Sequence, residues 1–216
     1  MNPASPSAET SIAIIGVGLG GANELVEVLN SLGAHAQVAE SREAATNAAG
    51  LIIAHAAGFE TAVEQIRANR FDEVIERRLA GGRPVVGIGT GMQILFEKFE
   101  VGSTKVVGLG EWPGTIEAIG ATANRPGGLT PVATAENSKL FAGTENESFW
   151  FENAAALKTW SLEVYGAFKP PTVTYTTGTE PFVAAVENGP LSAVQFFPEK
   201  SGAAGRKMLE NWINSL

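Results

Sequence analysis

Short apolar runs alternate with stretches of helical periodicity through the first hundred residues. Ser11 to Ile15 (SIAII), Gly50 to Ala54 (GLIIA) and Pro84 to Ile88 (PVVGI) are apolar without a polar face, the pattern of strands buried on both sides of a sheet. A further strand is predicted near His35 to Ala39. Between these runs, Ala22 to Leu32 carries Leu25, Val26, Val28, Leu29 and Leu32 at helical spacing and ends at Gly33. Glu60 to Leu79 repeats that spacing through Val63, Ile66, Phe71, Val74, Ile75 and Leu79, and Gly81-Gly82 stops it. A third helix is predicted after Gly89, running to about Phe99. Strands alternating with helices predict a parallel sheet covered on both faces.

The pattern changes between Lys105 and Phe197. The segments VVGLGEWPGTIEAI, ESFWFEN, TWSLEVYG and TVTYTTG read as short strands separated by turns. Phe182 to Glu187 and Leu191 to Phe196 flank Asn188-Gly189, a hairpin signal. Ala203 to Leu216 closes the chain as a helix with Met208, Leu209, Trp212 and Ile213 on one face. No internal repeat or low-complexity linker interrupts residues 11–216, so one domain is expected there, preceded by a disordered polar tail over residues 1–10.

Composition removes several classes of function. The formal net charge is -8 and no basic stripe is present, so neither nucleic acid nor an anionic membrane is an expected partner. No apolar run approaches the roughly 20 residues of a membrane span, and a cytoplasmic location is expected. The chain contains no cysteine, which excludes disulfides, thiolate metal sites and cysteine nucleophiles. Only His35 and His55 are histidines, so no metal centre is expected and no cofactor is implied by that route.

Two glycine turns carry the candidate chemistry. Gly16, Gly18 and Gly21 spell G-x-G-x-x-G between a strand and a helix, with Glu40 following a second strand. That context suits a nucleotide or small anion at a helix N-terminus, and equally a glycine turn that binds nothing. The second turn is Gly87-Ile88-Gly89-Thr90-Gly91. It has the strand–turn–helix layout of a nucleophile elbow, but glycine stands where the nucleophile belongs.

PVVGIGTGMQILFE, GLGEWPGTIE at Gly108 to Glu117, and the run from Glu180 to Leu216 together resemble the glutaminase subunits of imidazole glycerol phosphate synthase. These are class I glutamine amidotransferases of histidine biosynthesis, and the resemblance extends from Ile12 to the C-terminus. It implies an α/β, flavodoxin-like sheet with a parallel core, antiparallel strands in the second half and helices on both faces. The family's chemistry passes glutamine's amide through a cysteine thioester, with a histidine base and an orienting glutamate. The released ammonia goes to a (β/α)8-barrel cyclase, which also uses free ammonia.

Carried over by position, the cysteine falls on Gly89 and the histidine on Phe197. The glutamate alone is retained, as Glu199 of Gln195-Phe196-Phe197-Pro198-Glu199. The oxyanion strand P-G-V-G falls on Ala54-His55-Ala56-Ala57, and the partner-facing Y-F-V-H-S-Y on Trp150 to Ala155. Gln93 matches the residue that helps hold substrate glutamine, with burial against a backbone partner as its other reading. Thr90, one residue past the apex, and His55, at a strand end, are the remaining groups in the oxyanion region; neither is expected to act as nucleophile or base. Phe197 is expected to fill the space of an imidazole. Glu199 is expected to serve the start of the last helix or to pair with Lys200 or Lys207. His35 is expected at a surface strand start, and Phe149, Trp150 and Phe151 mainly in the core.

The resemblance implies a glutaminase-subunit homologue unable to hydrolyse glutamine, acting as a non-catalytic or regulatory subunit. Its implied partner is a barrel cyclase met through a weakened interface, with a monomer expected when the chain is alone. The alternative is a small-anion or nucleotide-binding protein that uses the Gly16–Gly21 turn.

Overall fold

The computed structural model describes residues 10–16, 21–54, 58–120, 127–152, 154–162 and 169–216. The tail expected over residues 1–10 falls outside these apart from Thr10. Thirteen strands are formed among the described residues: β1 (Ser11–Ile15), β2 (His35–Val38), β3 (Gly50–Ile53), β4 (Val85–Ile88), β5 (Phe96–Val101), β6 (Thr104–Val107), β7 (Trp112–Ala118), β8 (Gly128–Ala133), β9 (Ser148–Phe151), β10 (Ala155–Ala156), β11 (Thr172–Thr176), β12 (Val183–Asn188) and β13 (Leu191–Val194). The helices are α1 (Ala22–Ser31), α2 (Arg42–Asn47), α3 (Phe59–Ala68), α4 (Phe71–Ala80), α5 (Thr90–Gln93) and α6 (Gly202–Ile213), with a 3-10 turn at Pro198–Lys200.

A nine-stranded sheet runs β2-β1-β3-β4-β13-β12-β11-β8-β9. Strands β2, β1, β3, β4 and β13 are parallel, and β12, β11, β8 and β9 continue the sheet antiparallel. The parallel core and antiparallel second half are those the sequence predicts. The reason lies in alternate residues of the central strands. Ala13, Ile15, Leu51, Ile53 and Val85 face α3 and α4, while Ile12, Ile14, Ile52, Val86 and Ile88 face α1 and α6. Each strand has two dry faces, which only a doubly covered sheet satisfies. A smaller sheet, β10-β7-β5-β6, adds Phe96, Trp112 and Ile116 to the first of these cores.

Hairpin β12–β13 forms around Asn188-Gly189 with Asn188 opposite Leu191 and Gly189 at φ 61°, as its sequence predicts. Three other expectations need correction. The helix after Gly89 is one turn, not ten residues, and Phe96–Val101 is strand β5. FEKFEV pairs with β6 and β7, its register to β7 shifting between Phe96 and Lys98, and Gly102 at φ 60° closes the β5–β6 hairpin. The Glu60–Leu79 periodicity is divided between α3 and α4. Asn69's side-chain amide donates to the Gln65 carbonyl and Arg70 takes a left-handed φ of 55°. In TWSLEVYG, Thr159 to Leu162 form no strand and residues 163–168 lie outside the described set.

A buried arginine ties the first core together. Arg78, 1 % exposed, donates from Nη1 to the carbonyls of Ala45, Thr46 and Ala48, and from Nη2 to those of Ala49 and Pro84. It satisfies the orphan carbonyls that end α2 and joins them to the entry of β4. Burial first, then the charge of Arg83, lowers it to about 10, so it stays protonated at neutral pH. Arg78→Met is expected to leave the Ala45 and Ala49 carbonyls without their donor, Thr46 and Ala48 still accepting from Arg83 and Pro84 from the Leu51 amide, and to cost roughly 3 kcal/mol, read as a lower denaturation midpoint.

Candidate active site at the sheet's carboxyl edge

The elbow stands where β4 meets β13, at the carboxyl ends of the parallel strands. That edge is the usual place for a site in an open α/β sheet. Ile88 lies beside Val194, and the Gly89 amide donates to the Val194 carbonyl at 2.8 Å. The Gly89 carbonyl accepts from the amides of Met92 and Gln93, opening α5 directly at the apex. Gly89 has φ 57° and ψ -116°, a conformation that a residue with a Cβ holds only under strain. Glycine is also required on either side. A Cβ on Gly91 would fall 2.0 Å from the Ile53 carbonyl oxygen, and one on Gly87 would fall 2.6 Å from that of Gly91.

Around the apex the side chains take up the following places. Thr90 is the first residue of α5 and is buried. Gln93 is buried and donates from Nε2 to the Ala155 carbonyl at 2.7 Å, the kind of backbone partner that one of its two readings expects. Phe197, 3 % exposed, follows β13 and donates its amide to the Trp150 carbonyl at 2.9 Å. His55 and Ala57 lie outside the described residues, as do residues 17–20 of the first glycine turn. Gly16 and Glu40 are exposed, and Gly21 caps α1. His35 is exposed at the first position of β2, as expected.

Glu199 sits in the Pro198–Lys200 turn with both carboxylate oxygens buried. Its carboxyl is pushed up to about 7, mainly by desolvation, with smaller upward contributions from Glu24 and Glu152; its own backbone amide and Lys200 oppose the shift. Of the two lysines expected beside it, Lys200 acts on it through space, and each also bonds another carboxylate. Lys207 pairs with Glu210 at 2.8 Å, one turn along α6, and Lys200 with Glu152 at 2.9 Å. The last helix begins at Gly202, with Ser201 at its N-cap position and the Ser201 hydroxyl donating to the Phe197 carbonyl.

Phe149 and Phe151 point into the core against Phe141, Phe196 and Phe182, while Trp150 between them points the other way. Its indole Nε1 donates to Glu152 Oε1 at 2.7 Å. The same oxygen accepts from Lys200, whose Nζ lies 5.3 Å from the centre of the Phe197 ring. Sequence reasoning missed this cluster. Glu152 and Lys200 are far apart in the chain, and neither carries a local signal of the other.

Comparisons with known proteins agree with this geometry. The family model described as glutamine amidotransferase class-I matches residues 13–216. The chain is 43 % identical to the imidazole glycerol phosphate synthase subunit HisH of Leifsonia xyli, over 95 % of this chain and 98 % of that one. It is 41 % identical to the protein of the same name from Thermobifida fusca, again over 95 % and 98 %. Among solved structures, a putative GMP synthase protein from Thermoplasma acidophilum superposes with a TM-score of 0.69 at 16 % identity, covering 96 % of this chain and 94 % of that one. PurLQS from Thermotoga maritima gives the same TM-score at 12 % identity, covering 96 % and 98 %. The last two establish the fold alone.

Glu199 offers a test of the site's electrostatics. Its raised value means that the neutral form is favoured in the folded state. The associated stability is complete below the ordinary value of 4.5 and is lost as pH rises towards about 7. Denaturation midpoints are therefore expected to fall between pH 5 and pH 8, with Glu199→Gln flattening that part of the profile by roughly 2 kcal/mol. The match over residues 13–216, with full-length relatives above 40 % identity, places this chain in the class I glutamine amidotransferase family, beside the HisH subunits of imidazole glycerol phosphate synthase.

Proposed function

We propose that this chain is a non-catalytic glutaminase-subunit homologue, with the amidotransferase scaffold but without glutamine hydrolysis. The observation that carries the reading is Gly89 at the apex of the elbow, in a chain with no cysteine at all. A thioester needs a sulfur nucleophile, and the sulfurs here are methionine thioethers. Phe197, aligned with the family's base by the Gln195–Glu199 stretch, has no proton to exchange. Glu199 is retained without an imidazole at position 197 to orient, and its burial raises its carboxyl to about 7.

Glutamine hydrolysis is therefore expected to be undetectable, with or without the cyclase of its own organism. A glutamine-directed diazo-ketone should leave the mass unchanged. A covalent adduct at Thr90 or His55, or turnover above buffer, refutes the reading. Gly89→Cys alone is expected not to restore turnover, since groups that act as a unit do not add independently. It is also expected to lose about 1–3 kcal/mol of stability, because a Cβ enters the conformation at φ 57°.

The partner that best suits this reading is a (β/α)8-barrel cyclase, since the relatives are named as subunits of a synthase. The contact is expected to be weaker than that of a competent glutaminase. In the partner-facing stretch, Asn153, Ala154 and Ala155 stand for histidine, serine and tyrosine. Losing three anchors at about 1 kcal/mol each lowers affinity by roughly two orders of magnitude. The chain alone is expected to be monomeric. Calorimetric titration against its own organism's cyclase is expected to give micromolar binding; no binding at high micromolar concentrations rejects the cyclase as partner, and nanomolar binding rejects the weakened interface.

A further inference from the structure

The elbow stands at the carboxyl edge of the parallel strands. At the opposite, amino edge a cleft of about 1000 Å³ opens, roomy enough for a small molecule. Pro84 and Pro190, which enter β4 and β13, line it, as do Pro170 and Pro171 before β11 and Trp212 near the end of α6. A proline ring fixes φ, so four positions of the lining hold their backbone without help from a solute. A cleft formed in advance loses little conformational freedom when it is filled.

Glu187 organises this cleft. Its carboxylate accepts from the Ser138 hydroxyl and from the amides of Lys139 at 2.9 Å and Leu140 at 3.2 Å. Asn211 of α6 fastens the same loop by donating to the carbonyls of Leu140 and Ala142. The backbone of Glu187 lies opposite Thr172 in the β11–β12 pair. One residue therefore positions both the loop that carries Lys139 and the strand entry that carries Lys169, and both lysines line the cleft.

These lysines stand apart from the rest. Of the seven in the chain, Lys98, Lys105, Lys158, Lys200 and Lys207 each pair with a glutamate. Lys139 and Lys169 pair with no carboxylate among the described residues, although the chain carries a net charge of -8. Glu187 does not neutralise them, since its oxygens are taken by a hydroxyl and two amides. Glu136, the other carboxylate of the lining, is exposed and opposes an anion only through water.

We propose that the amino-edge cleft binds a small organic dianion, with one charged group on Lys139 and the other on Lys169 and with Thr172 and Ser192 adding hydroxyl donors. The charged groups are phosphate or carboxylate, since a lysine ammonium meets either as a point charge. The site is separate from the elbow and holds whether or not the chain hydrolyses glutamine. With Glu136 in the lining, affinity in the millimolar range is expected.

Calorimetric titration of the full chain with inorganic pyrophosphate, and separately with succinate, tests the site. Saturable binding of at least one is expected; pyrophosphate alone identifies phosphate as the charged group, and succinate alone identifies carboxylate. Lys139→Gln and Lys169→Gln are each expected to weaken that binding about tenfold, the worth of one charge-assisted bond. Both side chains are exposed, so neither substitution disturbs the core. Lys105→Gln, at a lysine paired with Glu100, is expected to leave binding unchanged. By NMR, the amide resonances of Lys139, Thr172 and Gly189 are expected to move on addition of the anion, and those of Gly89 and Thr90 to stay in place. No binding of either anion at millimolar concentrations overturns the site, as does binding that survives both substitutions, or resonance shifts confined to the carboxyl edge.

Discussion

The contact on which the site depends is that of Gly91 with the end of β3. The α5 backbone passes so near the Ile53 carbonyl that a Cβ would fall 2.0 Å from its oxygen. That closeness fixes how α5 leaves the sheet, and with it the reversal at Gly89 and the φ of 57° there. The Gly89 amide then reaches the Val194 carbonyl, which registers the elbow against β13 and sets where Phe197 follows. The close approach of two backbones thus helps to seat the elbow at the carboxyl edge.

The second determinant is the carboxylate of Glu199. The ring at position 197 is a phenyl, and the ammonium of Lys200 bonds Glu152. Burial dominates, and Glu199 rises to about 7. Retaining this residue costs stability above neutral pH, a cost that Lys200 reduces through space without removing.

The central strands were legible because each is apolar on both faces and bounded by glycine, and β1, β3 and β4 fall within a residue of their expected limits. The elbow was legible because tight backbone approach leaves glycines at fixed spacing. What was not legible depends on contacts between distant residues. Phe96 and Phe99 fit a helix as well as a strand until β7 is alongside, pairing Phe99 with Ile116. Asn69-Arg70 contains neither glycine nor proline, and the helix breaks there through an asparagine bond and a left-handed arginine, which the apolar spacing does not register. Glu199 was expected at a helix start, but its place inside the 3-10 turn follows from β9 packing over it. The Trp150–Glu152–Lys200 cluster escaped for the same reason.

Scaffold and site in this chain rest on different physical terms. The scaffold is held by apolar strand faces and by Arg78, whose donors would be costly to lose because the carbonyls they satisfy are inside. The site is held by backbone geometry at Gly89 and by partly exposed polar contacts at Lys200. Glycine meets the φ of 57° at position 89 with little strain, where a residue with a Cβ would hold it only at a cost. Phe197 is buried, and the Lys200 ammonium over its ring is held by Glu152. The two positions therefore depend on different things: position 89 on its own backbone, and position 197 on contacts supplied from the end of β9.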